Sequence, residues 1–194
     1  MDFCLRRFLA FLLIGGVLAR RNGDASFDRN YDITWGNDHV LSIDEGRQIQ
    51  LSLDNSSGAG FGSKLSFGSG FIHMRIKLPG KDSAGVVTAF YPMQIEASLW
   101  DGDSWATDGG QTKTNWSHAP FQTHFQGFDV NGCSVQDSDI QPCYSTNYWW
   151  NSRKYWTLDS TQKRAYENVR KKYLTYDYCS DRPRYPTPPP ECPQ

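Results

Sequence analysis

The segment Gln48-Ile49-Gln50-Leu51-Ser52-Leu53 alternates polar and apolar residues without a break. Successive side chains of a β-strand point to opposite faces of its sheet, so a period of two predicts a strand with one buried face. A second alternation runs through residues 72–78, where four apolar residues alternate with His73, Arg75 and Lys77. We interpret these three polar side chains as a solvated sheet face rather than the lining of a ligand groove. The first half of the chain is therefore predicted to form antiparallel sheet.

The rest of the chain carries weaker signals than these two alternations. Residues 55–70 are rich in Gly and Ser and are predicted to form a loop with tight turns. Residues 85–91 form a short apolar run, as in a strand buried on both faces. Residues 100–151 show little periodicity, which is typical of binding loops or of poorly ordered segments. The pattern alone therefore predicts sheet only for the first half of the chain.

One helix is predicted near the C-terminus. Asp159 is a good N-cap, and Gln162 at the third helical position nearly completes a capping box. Apolar residues then recur at helical spacing. They are Ala165, Tyr166, Val169 and Tyr173. The tail at residues 183–193 contains six prolines and would be pinned back by a disulfide at Cys192.

Composition narrows the class of ligand. The chain has 194 residues with 20 Lys and Arg against 21 Asp and Glu, so it lacks the basic excess that nucleic-acid binders show. Its 7 Trp and 10 Tyr suggest a polysaccharide ligand, because sugar rings present flat C–H faces that stack on aromatic rings. Six Trp lie in the second half, and we expect one or two of them to stack on sugar while the others pack in the core. They are Trp100, Trp105, Trp116, Trp149, Trp150 and Trp156.

The N-terminus has the pattern of a secretory signal peptide at residues 1–19. Arg6 and Arg7 supply a positive segment, and residues 8–19 are apolar and uncharged. A membrane anchor is the alternative, but about a dozen apolar residues are short for a bilayer. We therefore expect a secreted protein with no stable insertion in a membrane.

Secretion changes the interpretation of the cysteines and of two short motifs. Removal of the signal leaves Cys133, Cys143, Cys179 and Cys192, an even number that predicts disulfides. Three pairings are possible, and we favour the local pairs Cys133–Cys143 and Cys179–Cys192 over a zinc site, for which no ligand spacing is present. Glycosylation motifs begin at two asparagines. They are Asn55 and Asn115.

A series of short segments, spread over nearly the whole mature chain, carries a specific resemblance to a known family. In the first half the segments are residues 27–36, 51–54, 60–64, 71–77 and 78–91. In the second half they are residues 98–100, 103–110, 120–121, 149–150, 176–179, 184–187 and 191–192. Together they resemble the plant xyloglucan endotransglucosylase/hydrolases of glycoside hydrolase family 16.

The resemblance implies a fold and a division of the chain. Members of this family have an all-β fold, a concanavalin-like, jelly-roll β-sandwich. We expect an incomplete one here, followed by the C-terminal helix and a disulfide-pinned tail. Residues 20–91 would be the N-terminal part of the family 16 domain and residues 92–130 its remaining part. Residues 131–194 would be the C-terminal extension of the family.

The resemblance also implies an activity, transfer or hydrolysis on the β-1,4-glucan backbone of cell-wall xyloglucan, by a retaining mechanism with two carboxylates. In the family these acids lie on one strand at alternating positions. Here Tyr91 runs directly into residues 92–100, which resemble a strand from beyond the active site. A central block that carries the catalytic acids is missing, so no catalytic residue is assigned and we predict little or no turnover. A non-catalytic xyloglucan-binding protein of the cell wall is the alternative.

Few acids remain that could replace the missing pair. The chain has four Glu, no two of them within five residues of each other. Glu96 is expected to face solvent from a strand. Asp101 and Asp103 form the one candidate pair, on a loop beside two Trp. Loss of inner strands should also leave their neighbours without hydrogen-bond partners at a sheet edge.

The resemblance places substrate contacts on two segments that this chain retains. In the family the loop at residues 103–110 contributes to the acceptor side of the cleft, and the arginine before Tyr185 reaches a sugar hydroxyl. The expected contact residues are Ser104, Trp105, Gly109, Gly110 and Arg184. Xyloglucan is the expected partner, with no nucleic acid, no cofactor and no metal.

Overall fold

The computed structural model describes residues 24–91, 94–135, 139–174, 176–190 and 192. The chain forms two compact units, one ending at Asp139 and the other beginning at Ile140. Residues 1–19, the predicted signal peptide, lie outside the described residues. Within the described part no helix is long and apolar enough to cross a membrane.

The first unit is built from antiparallel β-strands, preceded by the short helix α1 at Phe27–Asn30. In chain order the strands are β1 Tyr31–Trp35, β2 Val40–Ile43, β3 Gln48–Leu53, β4 Ala59–Ile72, β5 Arg75–Lys77, β6 Val86–Tyr91, β7 Gln94–Asp101, β8 Phe121–Gln126 and β9 Val130–Val135. One sheet has the order β1-β4-β7-β6, with β9 also paired to β4, and the other has the order β2-β3-β8-β5. The predicted all-β fold is confirmed.

The core lies between the two sheets and is formed by alternate residues of their strands. In β3 the apolar residues of the predicted alternation are all buried, and Gln48, Gln50 and Ser52 lie on the opposite face. Phe61 of β4 packs edge-on to Phe125 of β8 at 5.1 Å between ring centroids, which joins one sheet to the other. Each fully buried side chain of this size contributes about 1.5–3 kcal/mol.

An aromatic cluster fills one part of this core. Phe27, Tyr31 and Phe128 surround Phe61 with centroid distances of 5.2 to 6.2 Å. The Tyr31 side chain is fully buried, and burial raises the pKa of its hydroxyl to about 12. The geometry of these pairs is edge-to-face, which is the arrangement that aromatic quadrupoles favour.

Three predictions about the sheets are wrong. The glycine-rich residues 55–70 do not form a loop, because β4 occupies most of them. Glycine is needed there for packing: a Cβ on Gly60 would lie 2.3 Å from Nε1 of Trp35. The alternation at 72–78 is split, since β4 ends at Ile72 and β5 covers only Arg75–Lys77, and Leu78 is 62% exposed.

The third error concerns residues 100–151, which contain more than binding loops. They include the end of β7 and all of β8 and β9. In β8 the residues Phe121, Thr123 and Phe125 are buried, while those between them are exposed or half-buried. This is the same alternation as in β3, and β8 pairs with β3 residue by residue.

The second unit contains the predicted helix, α2 at Ser160–Tyr173. The Asp159 carboxylate accepts the backbone N–H groups of Thr161 and Gln162, both at 2.8 Å, and Gln162 Oε1 accepts the N–H of Asp159 at 3.0 Å. The predicted capping box is thus present and fixes the first turn. None of the side chains of α2 is buried, so its apolar stripe is solvent-exposed.

Disulfides are present as predicted from the cysteine count. Cys179 and Cys192 are bonded, with their Cα atoms 5.5 Å apart, and this bond closes the proline-rich tail. Cys133 and Cys143 each take part in a disulfide.

A histidine between two acids links the segment before β2 to the turn after β3. His39 Nδ1 lies 3.1 Å from Asp38 Oδ1, and His39 Nε2 lies 3.2 Å from Asp54 Oδ1. These contacts, with that to Asp38 the larger, raise the pKa of His39. The Ser56 hydroxyl donates to Asp54 at 2.6 Å and holds the pKa of that carboxyl far below its usual range.

We expect the contacts of His39 with Asp38 and Asp54 to stabilise the fold most in mild acid. The folded-state pKa of His39 is raised, so its contribution is complete below the unfolded value of about 6.5 and is lost as pH rises through the folded value. Replacing His39→Gln should therefore lower the melting temperature more at about pH 5 than at about pH 8. Thermal unfolding followed by circular dichroism at the two pH values measures the difference.

His124 offers a matched control of opposite sign. Burial, and secondarily the nearby Lys77 ammonium, lowers the pKa of His124. Its contribution is fully present above the unfolded value of about 6.5 and is lost as pH falls through the lower folded-state pKa, so His124→Gln should cost more at about pH 8. Equal losses for His39→Gln at both pH values would contradict the assignment.

Candidate functional site

An open groove of about 610 Å³ lies on the face of the first sheet that points away from the core. The pleat of β7 explains its position: Ile95, Ala97 and Leu99 are buried in the core, so the residues between them point to the other side. The lining residues come from four neighbouring strands. They are Thr34, Trp35, Phe61, Tyr91, Glu96, Ala97, Ser98 and Trp100.

Aromatic side chains dominate the accessible part of this groove. Trp35 is 40% exposed and Tyr91 is 55% exposed, although both belong to strands of the sandwich. The Trp35 indole rests against Gly60, where any side chain would displace it. Its position is therefore fixed by the glycine that the sequence places opposite it, in the β1–β4 register Trp35 to Gly60. Large, immobilised and half-exposed rings are suited to stacking against a flat ligand face.

A second aromatic pair continues from the end of β7. Trp100 and Trp105 have ring centroids 5.8 Å apart at an interplanar angle of 47°, and Trp105 is 54% exposed. Because Trp100 also lines the groove, this pair extends its aromatic surface into the loop that follows β7.

The groove lining contains one carboxylate, that of Glu96. Glu96 lies opposite Tyr91 in the β6–β7 register and opposite Gly62 in the β4–β7 register, and its side chain is exposed. The expectation that it faces solvent from a strand agrees with this position. A single exposed carboxylate can accept hydrogen bonds from hydroxyl groups.

The other candidate acids serve the loop after β7. Asp103 Oδ1 accepts the backbone N–H of Thr114 at 2.5 Å, which ties the two ends of the loop together. Asp101 Oδ1 accepts the N–H of Asp103 at 3.0 Å and the Thr114 hydroxyl at 3.3 Å. Both carboxylates thus have structural partners within the loop, and neither lines the groove.

Four of the five predicted contact residues lie together on this loop. Ser104 and Trp105 form its first turn, and Gly110 closes back on them: a Cβ on Gly110 would lie 2.2 Å from the carbonyl oxygen of Ser104. Gly109 has a positive φ of 64° and nothing within 4 Å of the position of its Cβ. The loop presents Trp105 while the two glycines supply its backbone geometry.

Arg184 belongs to the second unit and is exposed. The Tyr176 hydroxyl is the main cause that raises the pKa of its guanidinium. Asp181 connects the two residues, because its Oδ1 accepts the backbone N–H of Arg184 at 3.2 Å and its Oδ2 accepts the Tyr176 hydroxyl at 2.7 Å.

The asparagines of both glycosylation motifs are exposed. Asn55 lies in the turn after β3. Asn115 Oδ1 accepts the backbone N–H and the hydroxyl of Ser117, at 3.1 and 2.7 Å, and caps a turn of 3₁₀-helix.

The other tryptophans of the second half have separate environments. Trp116 is half-buried and packs edge-on to Phe121 at 6.1 Å. Trp149 packs edge-on to Trp150 and to Tyr155 in the second unit, and Trp156 is largely exposed.

Sequence reasoning missed two groove residues, Trp35 and Tyr91. Both lie in segments that carry the family resemblance, but neither has a local signal for exposure. For Trp35 the usable signal was pairwise, because Gly60 on β4 is a position against which a large ring can pack.

Comparison with known proteins gives two family matches. Residues 27–92 and 91–118 match the model described as glycosyl hydrolases family 16. Residues 144–192 match the model described as xyloglucan endo-transglycosylase (XET) C-terminus.

Similar relatives come from more than one plant. The chain is 38% identical to xyloglucan endotransglucosylase/hydrolase protein 2 of Arabidopsis thaliana, over 98% of this chain and 96% of the relative. It is 34% identical to protein 3 of the same plant, over 86% and 88%. It is 31% identical to the probable xyloglucan endotransglucosylase/hydrolase 1 of Solanum lycopersicum, over 89% and 90%.

The first of these alignments is longer than the chain itself. It has 281 positions, which exceeds the 194 residues of the chain by 87. The two matches to the family 16 model meet at residues 91–92.

We expect the two loop glycines to differ sharply in their tolerance of substitution. Gly110→Ala forces a positive φ of 85° on alanine and drives its Cβ into the Ser104 carbonyl, so it should cost more than about 2 kcal/mol of stability. Gly109→Ala carries the backbone strain alone, about 1–2 kcal/mol. Chemical denaturation of the two variants measures both values, and equal losses would contradict the packing of Gly110 on the loop.

Proposed function

The chain belongs to the xyloglucan endotransglucosylase/hydrolase family within glycosyl hydrolases family 16, and on this basis we propose that it binds xyloglucan in the groove without cutting it. The observation that carries the proposal is the combination of Trp35 and Tyr91, both half-exposed, with the single carboxylate of Glu96 in one open groove. The groove can hold a sugar chain but lacks the paired acids for turnover.

The number and placement of acids in the groove do not favour turnover. Retaining glycosidases need a nucleophile and an acid/base about 5 Å apart. In the groove lining, Glu96 has no second carboxylate beside it, and Asp101 and Asp103 are engaged in the loop. The alignment to the first relative has 87 more positions than this chain has residues, and the two matches to the family 16 model meet at residues 91–92. Both observations support the absence of a central block between Tyr91 and Pro92.

The other side chains that line the groove suit a sugar chain. A glucan chain has flat apolar ring faces edged by hydroxyls, so it needs aromatic surfaces flanked by hydrogen-bonding groups. Trp35, Tyr91 and Trp100 supply the rings, while Glu96 and Ser98 supply acceptors and a donor. Trp105 would extend the contact along the glucan chain, and we propose that Ser104, Gly109 and Gly110 also belong to this binding surface. For Arg184 of the second unit we propose a contact with xyloglucan that is independent of the groove.

The site of action proposed is the plant cell wall. Residues 1–19 would act as a signal peptide that directs the disulfide-bonded protein to that compartment and is then removed. Asn55 and Asn115 would be available for glycosylation, because both are exposed. We also propose that residues 20–91 and 92–130 are the N-terminal and remaining parts of the family 16 domain. Residues 131–194 would be the C-terminal extension of the family.

Electrophoresis in gels that contain xyloglucan tests the binding. The parent chain should be retarded, and Trp35→Ala or Tyr91→Ala should each raise the dissociation constant about tenfold, since loss of one stacking ring removes about 1.4 kcal/mol. Trp156→Ala is the matched control, because it removes an exposed indole that does not line the groove. Unretarded migration of the folded parent would contradict binding.

A transfer and hydrolysis assay with xyloglucan oligosaccharides tests the second half of the proposal. No product should form above the level without protein. If product forms, the double variant Asp101→Ala, Asp103→Ala identifies its source: loss of turnover would assign it to these two acids, and retained turnover would exclude them.

A further inference from the structure

Strand β6 lies at an open edge of the first sheet. The sheet order β1-β4-β7-β6 leaves β6 with one neighbour among the described strands, β7. A strand at an edge presents a row of unpaired N–H and C=O groups that can template another strand.

The register of the β6–β7 pair shows which backbone groups face outward. The carbonyl of Gly85 accepts the N–H of Gly102 at 2.8 Å, so the hydrogen-bonded pairs of this hairpin involve the odd-numbered residues of β6. Antiparallel pairs alternate between bonded and non-bonded, so Val86, Thr88 and Phe90 direct their backbone groups away from β7. The N–H of Val86 is used by the Ser83 carbonyl at 3.1 Å.

The composition of β6 lacks the usual protection of an edge. Its residues Val86–Tyr91 include no charge and no proline, and most are β-branched or aromatic. By contrast, β1 carries Asp32, and β5, at an edge of the other sheet, carries Arg75 and Lys77. Natural edges are blocked by such charges, by proline or by bulges.

We propose that β6 pairs with β6 of a second copy of this chain. An antiparallel pair with its twofold axis at Thr88 sets Thr88 opposite Thr88, and Val86 of one copy opposite Phe90 of the other. The backbone N–H and C=O groups of all three residues point away from β7, so the pairing is self-complementary. With the N–H of Val86 already used, four hydrogen bonds cross the axis.

A second copy fits this edge because it would also cover apolar side chains that the core leaves partly exposed. Val86 and Phe90 are only partly buried and pack against the core at the end of the sheet. Pairing would cover both from the side. The axis is perpendicular to the sheet, so the two grooves would open on the same face; this last consequence rests on the proposed function, whereas the pairing does not.

Multi-angle light scattering of the purified chain tests the pairing. The parent should have twice the monomer mass at high concentration. Thr88→Pro removes the N–H at the axis, and an outward N–H on an edge strand is the one that proline can replace without loss of a sheet bond, so this variant should be monomeric. Thr88→Val removes the hydroxyl contact with Thr123 but keeps the N–H, and should remain dimeric.

A control at another uncharged edge keeps the test specific. Leu41→Lys places a charge on β2, an edge of the other sheet, and should leave the dimer intact. A parent that stays monomeric, a species larger than a dimer, a dimeric Thr88→Pro variant, or loss of the dimer in Leu41→Lys would each overturn the proposal.

Amide exchange in the parent gives a result even if Thr88→Pro fails to fold. The N–H groups of Thr88 and Phe90 should exchange at least about tenfold more slowly at high protein concentration than at low concentration, because exchange then requires dissociation. The N–H groups of β3, in the middle of the other sheet, serve as the internal control. Exchange of Thr88 and Phe90 that is independent of concentration would refute the pairing.

Discussion

The contact of Phe61 with Phe125 across the sandwich is the interaction on which the other features depend. It fixes one face of β4 and one face of β8 as interior. Since side chains alternate along a strand, every other residue of the neighbouring strands is then committed to the core as well. The aromatic cluster around Phe61 extends the same commitment to helix α1 and β1, through Phe27 and Tyr31. A slip of one residue in any of these strands would expose its buried set.

The groove is a consequence of that alternation. Once Ile95, Ala97 and Leu99 of β7 point to the core, Glu96, Ser98 and Trp100 must point outward. The residues that could bind a ligand are therefore selected by the packing of the residues between them. Gly60 of β4 completes the arrangement, because it leaves room for the Trp35 indole on the outer face. A surface built this way is rigid before a ligand arrives, which lowers the conformational entropy lost on binding.

How much of this could be predicted from the sequence depended on whether the signal was local. The alternation in β3 and the capping box of α2 lie within a few neighbouring residues, and both were predicted correctly. Strand β4 was missed because glycine in a strand is justified only by a partner on another strand, here Trp35. The same limit applies to the groove: Trp35 and Glu96 are 61 positions apart in sequence, and only the pairing of β1, β4 and β7 brings them to one face. The contacts of Asp101 and Asp103 likewise depend on Thr114, across the loop.

Both proposals concern the end of the first sheet at β6. In the proposed function, the absence of a central block after Tyr91 leaves the groove without paired acids. In the proposed pairing, β6 is the last strand on the β7 side of the sheet, and its outward backbone groups need a partner or water. Natural edge strands are usually charged or kinked, which blocks pairing with another chain. The uncharged, β-branched sequence of β6 is that of an interior strand, so its exposure at an edge favours association by the same hydrogen bonds that an inner neighbour would make.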